Sequence, residues 1–342
     1  MAGPRGESLA EAYDLLMLDL DGVVYLDGHA VEHAPESLAA ARSKGAHIAF
    51  ITNNASRTPQ QVADHLTELG IDAEPADVVT SSQAAARLLV DECGPGAPIA
   101  VLGAEGLVDA LREAGLNPVK VGDPQAVAIV SGYAPELRWR VIMRAATLIR
   151  NGLPWVVTNT DQTLPTGEGP APGHGLLVRL ISEFADVEPQ VAGKPRRPLL
   201  DETRLRVAGE HPLMVGDRLD TDISGAHEAG VDSLLVMTGV SSLADLVTAR
   251  PDERPTWIGH DLTALGRAGG AAEETGGAWQ AGPWTARVVD GRVRVEGSAS
   301  KADDLDLWWT AVAAASWAHL DAVGSAADTS EVTLPARTVS SG

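Results

Sequence analysis

Cysteine and aromatic residues are scarce in this sequence. Cys93 is the only cysteine among 342 residues, so no disulfide can form within the chain, as is typical of proteins from a reducing compartment. Aromatic residues make up only 4% of the chain, whereas hydrophobic residues together make up 44%. We therefore expect a globular protein whose core consists mainly of small aliphatic side chains.

Positive charge is scarce as well. The chain has 26 Lys and Arg residues against 47 Asp and Glu residues, which gives a formal net charge of −21. A surface for nucleic acid would need clustered Lys and Arg, and an anionic membrane would repel this chain, so we expect neither partner. A small anionic substrate stays compatible with the composition, because a local cation or a bound metal can dominate the field inside a cleft.

Long apolar runs are absent. No stretch approaches the roughly 18 apolar residues that a membrane span needs. Residues 1–12 contain Gly, Pro and charged residues instead of the apolar centre of a signal peptide. These absences predict a cytoplasmic protein, and the length of 342 residues predicts two or three domains.

Predicted strands and helices alternate along most of the chain. Residues 13–18 and 47–51 have the pattern of short buried strands, and residues 34–44 between them have that of an Ala-rich helix. This strand–helix–strand order predicts a parallel sheet. The predicted fold class is α/β, with a doubly wound parallel-sheet core. The alternation then continues in a second layer, whose first helix is predicted to have Ser81 or Ser82 as its N-cap.

Beyond about residue 265 the sequence changes character. Residues 269–277 are rich in Gly and predict a flexible linker. Two strands, 284–289 and 293–296, flank the turn signal Asp290-Gly291, and a helix is predicted at 303–321. The predicted domains are therefore a core at 1–81 and 188–264, an inserted cap at 82–187, and a linker with a small C-terminal α+β region at 265–342.

Carboxylates follow two of the predicted strands. Asp19 and Asp21 come after the first strand, where Gly22 permits a tight bend that can bring both side chains into one pocket. Asp217 follows a later strand, predicted at 211–215. Oxygen ligands of this kind suit Mg²⁺, and ligand clefts lie at the carboxyl ends of parallel strands. An ordinary acidic surface turn is the alternative for each segment.

Two further segments have the residue types that bind a phosphate group. Thr52 and Asn53 end the second strand, where a hydroxyl and backbone N–H groups can hold phosphate oxygens, although a helix cap would use the same residues. Lys194 lies between Gly193 and Pro195, and the proline restricts the lysine backbone to extended conformations. Its ammonium could neutralise a phosphoryl group, with a solvated surface lysine as the alternative.

The four segments occur in the same order as the four motifs of haloacid dehalogenase superfamily phosphatases, and the sequence resembles that superfamily over roughly residues 13–260. The resemblance implies that Asp19 is the nucleophile that forms an aspartyl-phosphate. It implies that Asp21 is the general acid and then the general base. It also implies Mg²⁺ as the cofactor, held by Asp19, Asp217 and the backbone carbonyl of Asp21.

The resemblance further assigns residues to the phosphoryl group. Thr52, Asn53 and Asn54 would bind its oxygens, and Lys194 would stabilise its charge. Asp222 would hydrogen-bond the waters of the metal, or Lys194, without being a metal ligand itself. The residue type that each of these roles requires is present at the matching position of this sequence.

Within the superfamily, the inserted layer resembles the large α/β cap of the subfamily that includes NagD, 4-nitrophenyl phosphatases, pyridoxal phosphatase and phosphoglycolate phosphatase. Residues 158–161 and 172–175 are similar to its cap and hinge segments. Asn159, Asp161 and Leu164 are therefore candidates for substrate contact, with plain loop structure as the alternative. Such caps exclude water from the cleft and often pair into homodimers.

The whole layout, including the C-terminal region, resembles actinobacterial glycerol 3-phosphate phosphatases, in which that region is similar to part of an acetyltransferase fold. This resemblance implies hydrolysis of a small phosphorylated metabolite, glycerol 3-phosphate, to glycerol and phosphate. Phosphoglycolate, 4-nitrophenyl phosphate and pyridoxal phosphate are the alternative substrates. Thr163 and Leu164 stand where the pyridoxal phosphatase branch has an aromatic or histidine grip, which argues against a large flat substrate.

Two functions of other classes are weighed against hydrolysis. Acyl transfer by the C-terminal region is disfavoured, because no Gly-rich loop precedes a helix there to bind the pyrophosphate of coenzyme A. A non-catalytic metabolite sensor is disfavoured, because all four segments carry catalytically competent residues. The tryptophans of the C-terminal region are then predicted to be core or interface residues, namely Trp279, Trp284, Trp308, Trp309 and Trp317.

Overall fold

The structure is a computed structural model that describes residues 6–164, 169, 171–207, 209–299 and 304–335. The strands in this part of the chain are β1 (Leu15–Leu18), β2 (Tyr25–Leu26), β3 (His29–Ala30), β4 (His47–Thr52), β5 (Val78–Thr80), β6 (Pro98–Leu102), β7 (Asn117–Lys120), β8 (Ala128–Ser131), β9 (Trp155–Val157), β10 (Thr163–Leu164), β11 (Ala171–Pro172), β12 (Gln190–Val191), β13 (Pro212–Gly216), β14 (Asp232–Val236), β15 (Trp257–Gly259), β16 (Glu273–Thr275), β17 (Ala278–Ala281), β18 (Trp284–Val289) and β19 (Arg292–Glu296).

The α-helices in the same part of the chain are α1 (Leu9–Ala12), α2 (Ala34–Ser43), α3 (Pro59–Glu68), α4 (Ser81–Cys93), α5 (Glu105–Glu113), α6 (Trp139–Arg150), α7 (His174–Ala185), α8 (Pro198–Arg206), α9 (Ser224–Ala229), α10 (Leu243–Val247) and α11 (Asp304–Val323). Over the residues described, none of these helices combines the length and apolarity that crossing a membrane requires.

The chain forms two compact units. The first comprises Met1–Leu26, Ala30–Ile48 and Gly209–Gly342, and the second comprises Asp27–His29 and Ala49–Ala208. The inserted layer predicted from the sequence therefore lies within the second unit. The C-terminal region lies within the first.

The first unit contains a parallel sheet in the order β15-β14-β13-β1. β1 is buried along its whole length, which is typical of parallel strands covered on both faces. β4 begins in this unit, where His47 N donates to Asp14 O at 2.8 Å. Because β1 and β13 run in parallel, their carboxyl ends lie at the same edge, and Asp19 and Asp217 follow them there. Asp19 N donates to Val215 O at 2.9 Å.

The second unit contains a five-stranded parallel sheet in the order β12-β9-β8-β6-β7. Helices α6 and α7 pack against each other, over a buried cluster that includes Ile129, Ile149 and Ile181. β4 ends in this unit, where it pairs in parallel with β5. The parallel strands and intervening helices of the two units confirm the predicted α/β class.

The start of α4 differs from the prediction. Thr80, and not Ser81 or Ser82, is its N-cap, because the Thr80 backbone is extended and its hydroxyl accepts from Gln83 N at 3.3 Å. Thr80 N in turn donates to Gln83 Oε1 at 2.9 Å, which completes a capping box. Ser81 and Ser82 lie inside the first turn, so their hydroxyls are available for other contacts.

The C-terminal region is an antiparallel sheet in the order β16-β17-β18-β19, with α11 packed against it. The predicted hairpin joins β18 to β19, and Asp290 and Gly291 both have positive φ, 50° and 75°. The predicted flexible linker is wrong in its second half, because Glu273–Thr275 forms β16 and pairs with β17. This strand is exposed and polar throughout, so it has no alternating apolar pattern to reveal it.

One apolar cluster joins the C-terminal region to the rest of the first unit. Trp308 and Trp309 of α11 belong to the same buried cluster as Leu235 of β14 and Ile258 of β15. Trp308 is 2% exposed, which confirms its predicted place in a core. The sheet and helix of the C-terminal region therefore share their core with the parallel sheet.

Polar bonds follow the same junction. Both terminal nitrogens of Arg254 donate to the carboxylate of Asp321 in α11, at 2.7 and 2.6 Å. His260 N donates to Asp306 Oδ1 at 2.7 Å, and Arg267 pairs with the other oxygen of Asp306. Burial raises the pKa of Asp306 despite the neighbouring guanidinium of Arg267. The junction is thus bonded along the length of α11 and not only at its apolar centre.

Candidate active site

Three carboxylates converge at the carboxyl edge of the parallel sheet in the first unit. Oxygens of Asp19, Asp217 and Asp222 lie within 4.8 Å of one another. Asp217 and Asp222 are fully buried, and Asp19 is half-buried. Like charges this close in a buried setting repel one another unless a cation offsets them. Carboxylate oxygens are the ligands that Mg²⁺ prefers, so the donor set fits the predicted metal.

Asp21 lies outside this cluster of side chains. Its side chain is exposed, at the start of a tight turn in which Gly22 N donates to Tyr25 O at 2.8 Å. Gly22 has a φ of +83°, which an L side chain rarely adopts. The bend after Asp21 therefore exists as predicted, with Asp19 and Asp21 on either side of the buried Leu20.

A loop after β14 holds the carboxylate of Asp217. Val240 N donates to Asp217 Oδ2 at 2.6 Å, and Ser241 N donates to the Asp217 backbone oxygen at 3.1 Å. A Cβ on Gly239 would lie 2.0 Å from Asp217 Oδ2, and one on Gly22 would lie 2.6 Å from the same oxygen. Both positions therefore require glycine, because the carboxylate occupies the space of a side chain.

Asp222 braces the same strand end from the other direction. Its Oδ2 accepts from the backbone N–H groups of Asp217 at 3.2 Å and Arg218 at 3.1 Å. Asp222 belongs to a short π-helical turn, Leu219–Ile223, whose wide backbone loop brings the side chain back over Gly216. These bonds orient the peptide that carries Asp217, and the predicted bond from Asp222 to metal-bound water or Lys194 stays a prediction.

The second unit holds the other predicted residues, and Thr52 is the first of them. Thr52 ends β4 and is 4% exposed. Asn54 N donates to Thr52 Oγ1 at 3.0 Å, so the hydroxyl marks a turn immediately after the strand. The Asn54 side chain is exposed and accepts from Ser56 N and Ser56 Oγ, at 2.9 and 2.7 Å.

Asn53 lies at the centre of a group of hydrogen bonds that we call the amide hub. Its Oδ1 accepts from Lys194 N at 2.9 Å, and its Nδ2 donates to Lys194 O at 3.0 Å and to Asp161 Oδ1 at 3.1 Å. Its backbone oxygen accepts from Asn159 Nδ2 at 2.7 Å and from Ser81 Oγ at 2.8 Å. The hub thus joins four of the predicted site residues: Asn53, Asn159, Asp161 and Lys194.

The amide hub is tightly packed around Lys194. Lys194 is 2% exposed, and a Cβ on the preceding Gly193 would lie 2.5 Å from Asn53 Oδ1. Leu164 is not part of the hub. It lies half-buried in β10, opposite Ala171 of β11. Of the three predicted cap contacts, the structure therefore brings Asn159 and Asp161 to Asn53 and leaves Leu164 in a separate hairpin.

The first turn of α7 supports the loop that carries Asp161. Gly175 N donates to Asp161 O at 2.8 Å. The adjacent His174 is 4% exposed, with a ring nitrogen 3.2 Å from Ser131 Oγ, which also accepts from Trp155 Nε1 at 3.0 Å. Burial lowers the pKa of His174 to about 4, so the ring is neutral near pH 7. The loop therefore rests on a neutral, buried polar pair.

Two contributors were missed by the sequence reasoning. The loop Thr238–Ser241, which follows β14, was not singled out from the sequence, although it is made mostly of small and polar residues. Thr238 Oγ1 donates to Gly22 O at 2.6 Å, so this loop contacts both acidic segments. Ser81 was assigned only to a helix cap, and nothing in its spacing indicated a bond to Asn53.

Comparison with protein-family models gives two matches. Residues 16–117 match a family described as "Haloacid dehalogenase-like hydrolase", and residues 191–265 match one described as "HAD-hydrolase-like". The first match contains Asp19, Asp21 and Thr52, and the second contains Lys194 and Asp217. The two matches therefore include each of the four predicted segments.

Individual proteins are similar over most of the chain. A D-glycerol 3-phosphate phosphatase of Mycobacterium tuberculosis is 44% identical over 259 residues, covering 76% of this chain and 72% of the relative. An acid sugar phosphatase of Staphylococcus aureus is 36% identical, covering 73% of this chain and 95% of the relative. The crystal structure of a glycerol phosphate phosphatase from M. tuberculosis in complex with magnesium superposes with a TM-score of 0.82 at 40% identity, covering 91% of this chain and 92% of that one.

Proposed function

Because this chain belongs to the haloacid dehalogenase-like hydrolases, as its sequence predicted, we propose that it is a Mg²⁺-dependent phosphatase that hydrolyses glycerol 3-phosphate to glycerol and phosphate. The observation that carries the chemistry is the convergence of Asp19, Asp217 and Asp222 within 4.8 Å at the edge of a parallel sheet. The observation that favours the substrate is the 44% identity to a D-glycerol 3-phosphate phosphatase.

In the first chemical step, Asp19 is the nucleophile. A carboxylate oxygen of Asp19 attacks phosphorus, and the ester bond between phosphorus and the glycerol oxygen breaks. Asp21 enters this step protonated and gives its proton to the departing alkoxide, which leaves as glycerol. The phosphoryl group remains on Asp19 as an aspartyl-phosphate.

In the second step, Asp21 acts as a base. Its carboxylate removes a proton from water, whose oxygen attacks phosphorus as the bond to Asp19 breaks. Inorganic phosphate leaves, Asp19 is again a carboxylate, and Asp21 is again protonated for the next turnover. The exposed side chain of Asp21, one residue beyond the buried Leu20, is accessible to water, as this step requires.

Charge stabilisation is divided among several groups. Asp19, Asp217 and the backbone carbonyl of Asp21 would hold Mg²⁺, whose positive charge would let an anionic nucleophile approach an anionic phosphate. The hydroxyl of Thr52 and the backbone N–H of Asn53 hold phosphoryl oxygens, whereas the Asn54 N–H donates to Thr52 Oγ1. Lys194 adds an ammonium, and its burial makes that charge more effective than a solvated one.

Substrate size is set by the inserted α/β layer at 82–187, which we propose to act as a cap that excludes water. Thr163 and Leu164 offer no ring to stack on a flat cofactor. A three-carbon polyol needs hydrogen bonds to its hydroxyls and little apolar area. The loop that contains Asn159 and Asp161 is the part of the cap proposed to meet it.

The test is phosphate release from a panel of phosphomonoesters by the purified protein, with and without Mg²⁺. The panel comprises both enantiomers of glycerol 3-phosphate, phosphoglycolate, sugar phosphates, 4-nitrophenyl phosphate and pyridoxal phosphate. We expect glycerol 3-phosphate to give a clearly higher kcat/KM than the other substrates. Chelation of the metal should abolish release. A panel led by phosphoglycolate or a sugar phosphate would contradict the substrate, and full activity without divalent metal would contradict the role of Mg²⁺.

We further propose that two copies of the chain pair through the cap. Trp139 and Met143 on α6, and Leu176, Leu180 and Phe184 on α7, form stripes at i, i+4 spacing and are 40% to 59% exposed. Exposed apolar patches of this kind mark protein interfaces. Two such stripes on neighbouring helices could pack against the same two stripes of a second copy in a symmetric dimer. Light scattering should show a dimer for the wild-type protein and a monomer for Met143→Glu. A monomeric wild type would contradict the proposal.

A cytoplasmic location completes the proposed function. It rests on the single cysteine and on the need for a soluble phosphometabolite as substrate. Fractionation of cells that express the tagged full chain should recover phosphatase activity with cytoplasmic markers. Recovery with the envelope fraction would contradict this location.

A further inference from the structure

We propose that Asn53 is a positioning residue for the charge-stabilising lysine: its side-chain amide fixes the backbone of Lys194 and ties it to the cap loop through Asp161. This inference rests on the proposed phosphatase function and assigns to Asn53 a role other than direct contact of its side chain with phosphate. The loop proposed to meet the substrate and the lysine proposed to meet the phosphoryl group would then move as one piece.

The geometry of the contact with Lys194 is the first argument. Asn53 Oδ1 accepts from Lys194 N at 2.9 Å, and Asn53 Nδ2 donates to Lys194 O at 3.0 Å. Bonds to both the N–H and the carbonyl of one residue fix its position and its rotation. A lysine side chain has four rotatable bonds, so the position of its ammonium depends on the direction in which the Cα–Cβ bond leaves the backbone. A two-point clamp on the backbone sets that direction.

The donor count is the second argument. A side-chain amide nitrogen carries two protons, and those of Asn53 Nδ2 are directed at Lys194 O and Asp161 Oδ1. The side chain is 9% exposed. No proton of this NH₂ group is then available for a phosphoryl oxygen. Contact between this residue and phosphate is limited to its backbone N–H.

The third argument is that the loop residue Asp161 is itself fixed by hydrogen bonds to the amide hub and to α7. Its carboxylate accepts from Asn53 Nδ2 at 3.1 Å, its N–H donates to Asn159 Oδ1 at 3.2 Å, and its carbonyl accepts from Gly175 N at 2.8 Å. Asn159 returns to the hub by donating to Asn53 O at 2.7 Å. A shift of the loop is therefore transmitted to Asn53, and from Asn53 to Lys194.

The arrangement predicts which replacements fail. Asn53→Asp keeps an acceptor for Lys194 N but loses the donor to Lys194 O, and it sets a second carboxylate against Asp161. Asp161→Asn keeps an oxygen acceptor for Asn53 and removes only the charge. Asp161→Ala removes the acceptor. Comparing these variants separates a role in hydrogen bonding from a role of the Asp161 charge.

Steady-state kinetics with glycerol 3-phosphate and 4-nitrophenyl phosphate provide the test. For Asn53→Asp we expect kcat to fall by about 10²-fold with both substrates, while KM changes by less than about 3-fold, because a misplaced charge weakens the transition state more than the bound substrate. Asp161→Ala should lower kcat by about 10-fold, and Asp161→Asn, which keeps the acceptor for Asn53, should lower it less. Asn117→Ala and Asp64→Asn, at exposed positions of the same unit, are the matched controls.

Two kinetic outcomes would overturn the proposal. A large rise in KM with kcat unchanged in Asn53→Asp would mean that the side chain binds substrate directly. Equal loss in Asp161→Asn and Asp161→Ala would mean that the charge of Asp161, and not its bond to Asn53, is what matters.

Hydrogen exchange gives a readout that does not depend on turnover. In the wild type, the Lys194 N–H is protected by Asn53 Oδ1, so Asn53→Ala should speed its exchange by about 10-fold or more, while Asn53→Asp, which retains an acceptor, should change it less. Unchanged exchange in Asn53→Ala would overturn the proposed clamp. If the wild type hydrolysed no phosphomonoester but Asn53→Ala still showed the predicted faster exchange, the phosphatase function would be refuted and the clamp would be supported.

Discussion

The carboxylate cluster of the first unit and the amide hub of the second both lie after the ends of parallel strands, but they are built in opposite ways. The carboxylate of Asp217 accepts from a backbone N–H and occupies space that is open only because residues 22 and 239 are glycines. Asn53 is held, and holds others, through five hydrogen bonds of its own amide and carbonyl. The first site concentrates charge and leaves room for a cation, whereas the second is neutral at its centre and fixes geometry.

This difference indicates how the two sites respond to substitution. A site made of charges fails when a charge is removed or displaced. A site made of neutral bonds fails when a donor or an acceptor is removed, even if shape is conserved. Of the three changes below, the first two test the charged site and the third tests a neutral buried polar pair in the second unit, beginning with the largest expected effect.

Asp19→Asn should produce the largest loss. The amide is isosteric with the carboxylate but is not a nucleophile, so phosphate release should fall by about 10³-fold or more. Release from glycerol 3-phosphate at saturating Mg²⁺ is the measurement, with Asp64→Asn on the surface of α3 as the control. Near-normal turnover by Asp19→Asn would rule out an aspartyl-phosphate on this residue.

Gly239→Ala should have an intermediate effect, confined to the metal. The new Cβ would lie 2.0 Å from Asp217 Oδ2, so the carboxylate must move. Disturbing the support of a metal ligand typically costs about 10- to 100-fold in metal affinity, so the Mg²⁺ concentration for half-maximal activity should rise by that factor. Gly266→Ala, where a Cβ would meet nothing within 4 Å, is the matched control. Equal Mg²⁺ requirements in the two variants would show that the cradle around Asp217 is not tight.

His174→Gln should have the smallest effect, and it concerns stability rather than turnover. Burial lowers the pKa of His174 to about 4 from an ordinary 6.5. As pH falls below 6.5 the unfolded chain gains a proton here and the folded chain does not. The stability linked to the neutral ring is therefore complete above that pH and is lost toward pH 4.

Between pH ~7.5 and ~5.5 the wild type should lose about 1 kcal/mol of unfolding free energy through this group, and His174→Gln should not. Urea unfolding at both pH values measures the difference, and the exposed His227→Gln controls for the loss of an imidazole. An identical pH dependence in wild type and His174→Gln would show that burial does not keep the ring neutral.

Much of the carboxylate cluster could be predicted from the sequence, because the signals are local. Asp19 and Asp217 directly follow apolar runs that read as strands, and parallel strands bring such ends to one edge. The support for Asp217 was harder to predict. A bond from Val240 N to its carboxylate depends on a loop that lies 23 residues further along the chain and contains no charged residue.

The amide hub could be predicted only as a set of separate candidates. The sequence placed Asn53, Asn159, Asp161 and Lys194 on a list of site residues, but gave no reason to join Asn53 to residues more than 100 positions away. Amide side chains bond equally well to backbone, side chain and substrate, so residue type does not fix the partner. A carboxylate pairs preferentially with a cation, whereas a neutral amide has no such preference.

The C-terminal region was predicted in its hairpin and its helix, and not in its edge strand. Trp308 and Asp290-Gly291 carry strong local signals, whereas the polar β16 is defined only by its pairing with β17. The apolar character of Leu246 and Ile258 also had a cause outside their own segments, since both lie in the cluster that α11 covers.

That shared cluster has an evolutionary consequence. About a quarter of this chain has no counterpart in the acid sugar phosphatase, so phosphatases of this kind exist at a shorter length. Once α11 covers a surface, selection no longer keeps that surface polar, and residues such as Leu235 and Ile258 become dependent on the cover. Loss of α11 would therefore leave Leu235 and Ile258 facing water, a change that costs stability and favours aggregation.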